Sequence, residues 1–398
     1  MRKVDVVIVG AGAAGLSLAW RLAGPGAPAG GPRVALVEPP PGGPRTQDRT
    51  WCFWEPEPGE WDAAVGHRWP RVSVIGPDGA EHAAPIAPLV YKMVRSRDYA
   101  AHVEGALPAE RVTRVAATVY RLSDGADHAT VHAIGANGRE LRIAARWVFD
   151  SRPPPRPPAA ATTLLQHFRG WFVHTERDSF RTDTAVLMDL RPPQPPRGVA
   201  FGYLLPFSPR TALVEYTQFT REVLDDSGYD AGLSHYLGSV LGIGDYTVTG
   251  TEQGVIPMTD AHFPRRAGRR ILRIGAAGGA TRPATGYTFA ALQRQTAATA
   301  RALAAGRAPV PPLPHRRRHL LMDAVLLRAL DTGRLDGARF FAGLFARRPV
   351  RQVLDFLDGR STPAQEIAIG LHTPVLPMSL TTAEVLVRSI GRRGRVTV

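Results

Sequence analysis

The chain has 398 residues, 44% of them hydrophobic and 21% charged, with a formal net charge of +14. That length allows two domains or one doubly wound domain with a second lobe inserted, and no apolar run reaches the roughly 18 residues of a membrane-crossing helix. The charge is almost all arginine, with Lys3 and Lys92 the only lysines, and is scattered without aromatic interleaving, which argues against nucleic acid as a partner. Cys52 is the only cysteine, so an intrachain disulfide and a cysteine-rich metal site are both excluded and a cytoplasmic setting fits.

The chain opens MRKVDVVIVGAGAAGLSLAWRLA. A charged tip before an apolar run imitates a signal peptide, but Asp5 within the run and the glycine spacing argue for a folded strand. Val4 to Val9 reads as a buried parallel strand, Gly10 to Gly15 as a tight turn, Leu16 to Leu22 as a helix, and Arg33 to Glu38 as a second strand ending in an acid. This is the dinucleotide fingerprint. Gly10 permits the turn, Gly12 lets the backbone approach a pyrophosphate, and Gly15 lets helix and strand pack, with Ala13 and Ala14 at the phosphate-facing helix start and Glu38 at the adenosine ribose.

No second fingerprint follows, which points to FAD held by separated segments. Trp147 to Arg152 is a strand delivering a polar turn, with Asp150 in it. Ile271 to Gly279 is another strand entering a glycine-rich turn through Gly275, with Pro283, Gly286 and Tyr287 ahead of a helix from Thr288. Arg97 completes the expected cofactor set. The expected architecture is α/β: a Rossmann-type FAD domain of the flavin monooxygenase-like fold over 1–70, 95–160 and 255–310, an inserted sheet-rich substrate domain over 71–94 and 161–254, and a helical, basic lobe over 311–398.

The run FGYLLPFSPRTALVEYTQFT begins at Phe201 and carries a single acid. A strand here puts Thr211, Leu213, Glu215 and Thr217 on one side and Ala212, Val214, Tyr216 and Gln218 on the other. Glu215 is then either an ordinary polar residue on a half-exposed strand or an acid held in an apolar setting. Beyond His315 arginine clusters alternate with apolar ones such as Leu320-Leu321-Met322 and Phe340-Phe341, a pattern that reads either as attraction to an anionic membrane surface or as a solvated basic face. His315 and His319 stand one helical turn apart, but no metal-protease glutamate accompanies them, and they read as part of that face.

Several stretches together resemble the lycopene cyclases, flavoproteins that close the end rings of carotenoids, and their bacterial β-cyclase branch in particular. They are Asp48-Arg49-Thr50-Trp51-Cys52-Phe53-Trp54, Gln166 with Phe168 and Gly170, Met188-Asp189-Leu190-Arg191, Gly202 to Pro206, Leu213 to Thr217, Gly254 to Met258, and Gly275 through Tyr287, in the family's order over roughly residues 1 to 290. The resemblance implies that Glu215 is the glutamate needed for cyclisation. Plant members carry two adjacent acids where this chain has Tyr216 second, so Glu215 is expected to act without that neighbour.

What the resemblance implies is an acid-catalysed, non-redox closure of the linear ends of lycopene to β-ionone rings, giving γ- or β-carotene. It implies reduced FAD as the active cofactor, NAD(P)H as its reductant, peripheral membrane attachment and association with other carotenoid enzymes. Trp51, Phe53, Trp54, Tyr203 and Phe207 are expected to line the substrate channel, and no metal is expected. A flavin-dependent hydroxylase or isoprenoid reductase of the same fold is the first alternative. The hydroxylases' Asp after the late-strand glycine is Ala276 here. A non-catalytic carotenoid-binding flavoprotein is the second.

Overall fold

The structure is a computed structural model that describes residues 2–40, 48–154 and 156–393. Its first sheet is built around the strand Arg2–Val9, whose Val6, Val7 and Ile8 are fully buried because both faces are covered. Val34–Glu38 and Glu140–Asp150 flank that strand in parallel, and Val112–Ser123 and Ile271–Arg273 extend the parallel sheet on either side. The helices Ala13–Ala23 and Phe289–Ala304 cover one face, joined through Ser17 Oγ, which donates to Gln293 Oε1 at 2.6 Å.

The other face is closed by a meander. Val112–Ser123 pairs with Val34–Glu38 over its first half and with Ala129–Gly135 over its second, and Glu140–Asp150 is shared in the same way. Ala129, Val131 and Ala133 thereby bury against Val7, Val9, Val37 and Val115.

A second, seven-stranded sheet runs in the order Tyr246–Thr259, Thr163–Thr175, Thr211–Thr220, Val199–Ser208, Thr184–Asp189, Arg71–Ile75 and Glu81–Pro85. All its pairs are antiparallel except Thr184–Asp189 with Arg71–Ile75. On one face Tyr216, Val214 and Ala212 pack with Tyr229 and Leu233 of the helix Asp226–His235. On the other, Leu213 and Phe219 join a core completed by Leu327, Leu330, Phe341 and Leu354 from the C-terminal helices Arg317–Asp331, Gly337–Arg347 and Val350–Leu357. Two further helices follow, Pro363–Gly370 and Val375–Arg393.

Between the two sheets lies a three-stranded layer of Thr50–Pro56, Leu89–Arg95 and His67–Trp69. Residues 89–94, expected in the substrate part, therefore belong to this layer, because they pair with 50–56. Residues 255–259, expected in the flavin part, continue the seven-stranded sheet. Both divisions were blurred by strands that run unbroken across the expected boundary.

The C-terminal lobe is helical, but much of its supposed basic face is engaged. Arg318 pairs with Glu366, Arg328 and Arg334 with Glu384, and the Arg348 guanidinium donates to the Ala368 carbonyl. His315 and His319 are buried rather than solvated. His319 Nε2 meets Glu366 at 2.7 Å, joining two helices of the lobe, and His315 Nε2 meets the Ala280 carbonyl at 3.0 Å, tying the lobe to the glycine-rich turn. The Phe340-Phe341 cluster also belongs largely to the interior, since Phe341 is buried beside Phe219. Among the described residues, no helix is long and apolar enough to cross a membrane and no cluster of metal ligands occurs.

Candidate active site

Four neighbouring strands bring four residues into one lateral row. Glu252 stands opposite Gly170, Gly170 opposite Glu215, and Glu215 opposite Tyr203, so all four project from the same face. The odd-numbered side of Thr211–Thr220 carries this row, and Glu215 is only 8% exposed. Gly170 makes the row possible. A Cβ there would lie 2.7 Å from Glu215 Cγ and 2.9 Å from Leu213 Cδ1, so only glycine lets the Glu215 side chain lie over that strand.

Glu215 and Glu252 are hydrogen-bonded to one another. Burial first, and then the neighbouring Glu252 charge, hold the Glu215 carboxyl well above the usual carboxylate range. Glu215 therefore keeps its proton and donates it to Glu252, while the Thr50 hydroxyl donates to Glu252 Oε2 at 2.6 Å. Two carboxyl groups in contact cannot both ionise cheaply, and the environment assigns the proton to the more buried one. Tyr216, where an adjacent second acid was the pattern to compare, points to the opposite face and packs against Gly232. The second acid comes from across the sheet instead.

An aromatic cluster adjoins Glu215 through Tyr203. Tyr203 and Tyr91 share a hydroxyl hydrogen bond of 2.9 Å, Tyr287 lies close to Tyr91, and Trp54 meets the Tyr287 ring edge-on at 4.8 Å. Cys52 lies close to Tyr203, and burial pushes its thiol up to about 12. Of the residues expected to line the channel, Tyr203 stands opposite Glu215, and Trp54 packs on its neighbour Tyr91. Strand alternation turns Trp51 and Phe53 to the other side, where both pack on Phe289. Phe207 sits apart from them, beside Phe172 at the wall of an open cleft.

That cleft has a volume of about 520 Å³ and is lined by Thr50, Arg95, Arg97, Phe172, Phe207 and Glu252, among others. Glu252 is therefore both a cleft residue and the partner of the buried acid. Arg97, expected at the cofactor, lines the same cleft and pairs with Asp98 at 3.6 Å.

The glycine turn fits a dinucleotide phosphate. The helix Ala13–Ala23 begins without any side-chain cap and without an acid in its first turn, leaving its positive end for an anion. A Cβ on Gly15 would fall 1.9 Å from the Gly10 carbonyl oxygen, whereas one on Gly12 would meet nothing within 4 Å. The turn is thus closed on one side and open on the other. Gly275, in the left-handed region at φ +63°, brings the late turn against Ala14. Glu38 ends its strand paired with Arg114. Asp150 lies level with Val9 and is held by Arg152 at 2.8 Å, so its carboxylate is already engaged by protein.

Pro283 and Gly286 carry the late turn toward the acid. Gly286 has φ +71°, and a Cβ there would strike Gln166 Oε1, a buried oxygen with no hydrogen-bond partner. Tyr287 follows directly, so the segment that begins at Gly275 beside the glycine fingerprint also supplies a ring to the Trp54 and Tyr91 cluster.

Sequence reasoning missed Glu252, Tyr91 and the packing role of Gly170. A signal for Glu252 was present in the alternation Gly250, Glu252, Gly254, which puts one acid between two glycines on a strand face.

A glycine turn suited to a phosphate on a largely parallel sheet, joined to a large antiparallel sheet, is the framework shared by flavin-dependent monooxygenases and reductases. Solved structures bear this out at the level of fold. A p-nitrophenol 4-monooxygenase from Pseudomonas putida aligns with 98% of both chains at a TM-score of 0.59 and 15% identity. A geranylgeranyl bacteriochlorophyll reductase-like protein from Thermoplasma acidophilum aligns over 95% of this chain and 98% of its own, at 0.62 and 12%. A flavoprotein/dehydrogenase from Cytophaga hutchinsonii gives 0.60 and 15%, over 98% and 100%. No curated protein sequence matches the chain. The model of the family described as lycopene cyclase protein matches residues 5–383, nearly the whole length, and the chain belongs to that family.

Proposed function

We propose that the protein is a lycopene β-cyclase, with Glu215 as the acid that starts ring closure. The observation that carries this reading is the buried Glu215 carboxyl, which holds its proton beside Glu252 and opposite Tyr203, the residue that links it to an aromatic cluster. Protonating an alkene needs an acid that remains protonated at neutral pH and is shielded from water, and burial supplies both.

Glu215 delivers its proton to C2 of the terminal double bond. The C5–C6 double bond closes onto the cation at C1, and a proton leaves C6, so the product is an isomer of lycopene and no electron is transferred. The new Glu215 carboxylate stands beside the cation it has created, and the faces of Trp54 and Tyr287 add weaker cation–π attraction.

The fit of the turn around Gly10, Gly12, Ala13, Ala14, Gly15 and Gly275 supports FAD as the resident cofactor. Reduced FAD, with NAD(P)H as its reductant, supplies negative charge near the cation when bound. Pro283, Gly286 and Tyr287 would then lie between cofactor and substrate, and Glu38 would reach the ribose, exchanging or sharing its Arg114 partner.

Membrane attachment, needed for a substrate that lives in lipid, is supported by an exposed apolar stretch on the last two helices that includes Leu371 at 72% and Leu376 at 71% exposure. We assign the protein to the cytoplasmic face of the membrane, near other carotenoid enzymes.

The test uses photoreduced protein with lycopene in deuterated water, without oxygen or nicotinamide. A product isomeric with lycopene and carrying one deuterium per ring is expected from wild type and none from Glu215→Gln. A gain of oxygen or of two hydrogens would overturn the reading.

A further inference from the structure

The cleft and the buried acid meet at one residue. Glu252 forms part of the cleft wall, and its hydrogen-bonded partner Glu215 does not. The two flank Gly170 on adjacent strands, so no side chain stands between them at that level. Thr50 donates to Glu252 Oε2, which directs the remaining capacity of that carboxylate toward Glu215. On the buried side Cys52 and the tyrosines hold their protons strongly, since burial raises each of them, and they are poor sources of a replacement.

A sealed acid that gives up its proton at each ring closure must be reloaded before the next. We propose that Glu252 is the proton relay between the cleft and Glu215, an inference that rests on Glu215 being the proton donor. After transfer to the substrate, Glu252 takes a proton from water in the cleft, breaking a water-derived O–H bond and forming its own. It then passes that proton to the Glu215 carboxylate and returns to the ionised form. The proton lost from C6 returns to solvent, so one proton enters and one leaves per ring and no electron moves. Glu252 touches no substrate in this scheme and is a positioning residue that acts through Glu215.

The relay has a readout that does not depend on turnover. In the resting flavin-loaded protein, the infrared carboxyl stretch of protonated Glu215, identified by its loss in Glu215→Gln, is followed after transfer to deuterated water. Exchange is expected to be about tenfold or more slower in Glu252→Gln than in wild type, and restored by Glu252→Asp. With lycopene and photoreduced protein, Glu252→Gln is expected to close its first ring within about threefold of the wild-type rate, while later turnovers fall about tenfold or more. Exchange at the wild-type rate, or equal loss of the first and later turnovers, would overturn the relay.

If wild type forms no cyclic product the cyclase reading fails, and the infrared exchange still decides the relay. Should Glu252→Gln not fold, Thr50→Val removes the hydroxyl that orients Glu252. Slower exchange in that variant supports the relay, and unchanged exchange overturns it.

Discussion

Gly170 and Glu215 stand opposite one another on adjacent antiparallel strands, and the side chain of the second occupies the space that a Cβ on the first would need. The acid is aimed by an absence.

This relationship makes Gly170→Ala a sharp test. The added methyl would sit 2.7 Å from Glu215 Cγ, closer than real contacts allow, so Glu215 must swing away from Glu252. Ring closure is expected to fall by about tenfold or more, while overpacking costs roughly 1–3 kcal/mol of stability. Product formation and urea unfolding on the same preparation check both.

Glu215 should also leave a mark on stability. Its folded pKa lies above its unfolded one, so its contribution is complete below the ordinary carboxylate range and is lost as pH rises through the raised folded value. Wild type is therefore expected to lose melting temperature more steeply than Glu215→Gln, which cannot ionise, as pH rises above the ordinary carboxylate range. Parallel melting curves for the two proteins would refute the raised pKa.

A buried ion pair joins the glycine-rich turn to the C-terminal lobe. Arg282 and Asp323 are 1% and 3% exposed at their side chains and lie 3.1 Å apart. Asp323→Ala leaves the guanidinium buried without its partner and is expected to cost about 3–5 kcal/mol in chemical unfolding. Because the pair anchors the segment leading to Gly286 and Tyr287, FAD retention on a desalting column should fall as well.

The two sources of membrane attraction respond differently to salt. Replacing Leu371, Leu376 and Leu380 together by Ser is expected to reduce sedimentation with anionic vesicles at every salt concentration. Replacing the exposed Arg316 and Arg317 should matter only at low salt, where charge is poorly screened. Unchanged binding of the leucine variant would place the docking surface elsewhere.

The nucleotide half of this protein was legible in sequence because its signals are local. A buried strand, three glycines and a helix follow one another without interruption, and each glycine answers a backbone demand within a few residues. The alternation around Glu215 was local in the same sense, and it correctly put the acid on the side of Leu213 and Thr217. Alternation also held the information that Trp51 and Phe53 face away from Cys52 and Trp54, but nothing in the chain said which side was the channel.

What tertiary structure alone decided is who stands beside Glu215. Glu252 is 37 positions away in the chain, and Gly170 is 45 positions away on the other side, yet strand pairing puts all three in one row. Hydrogen-bond register fixes that juxtaposition, and register depends on how whole strands align, not on any short run of residues. The burial of His315 and His319 has the same origin. A sequence of alternating arginines and apolar residues defines a helix with a basic side, but which groups find partners is settled only when the helices pack and Glu366 and Glu384 arrive to meet them.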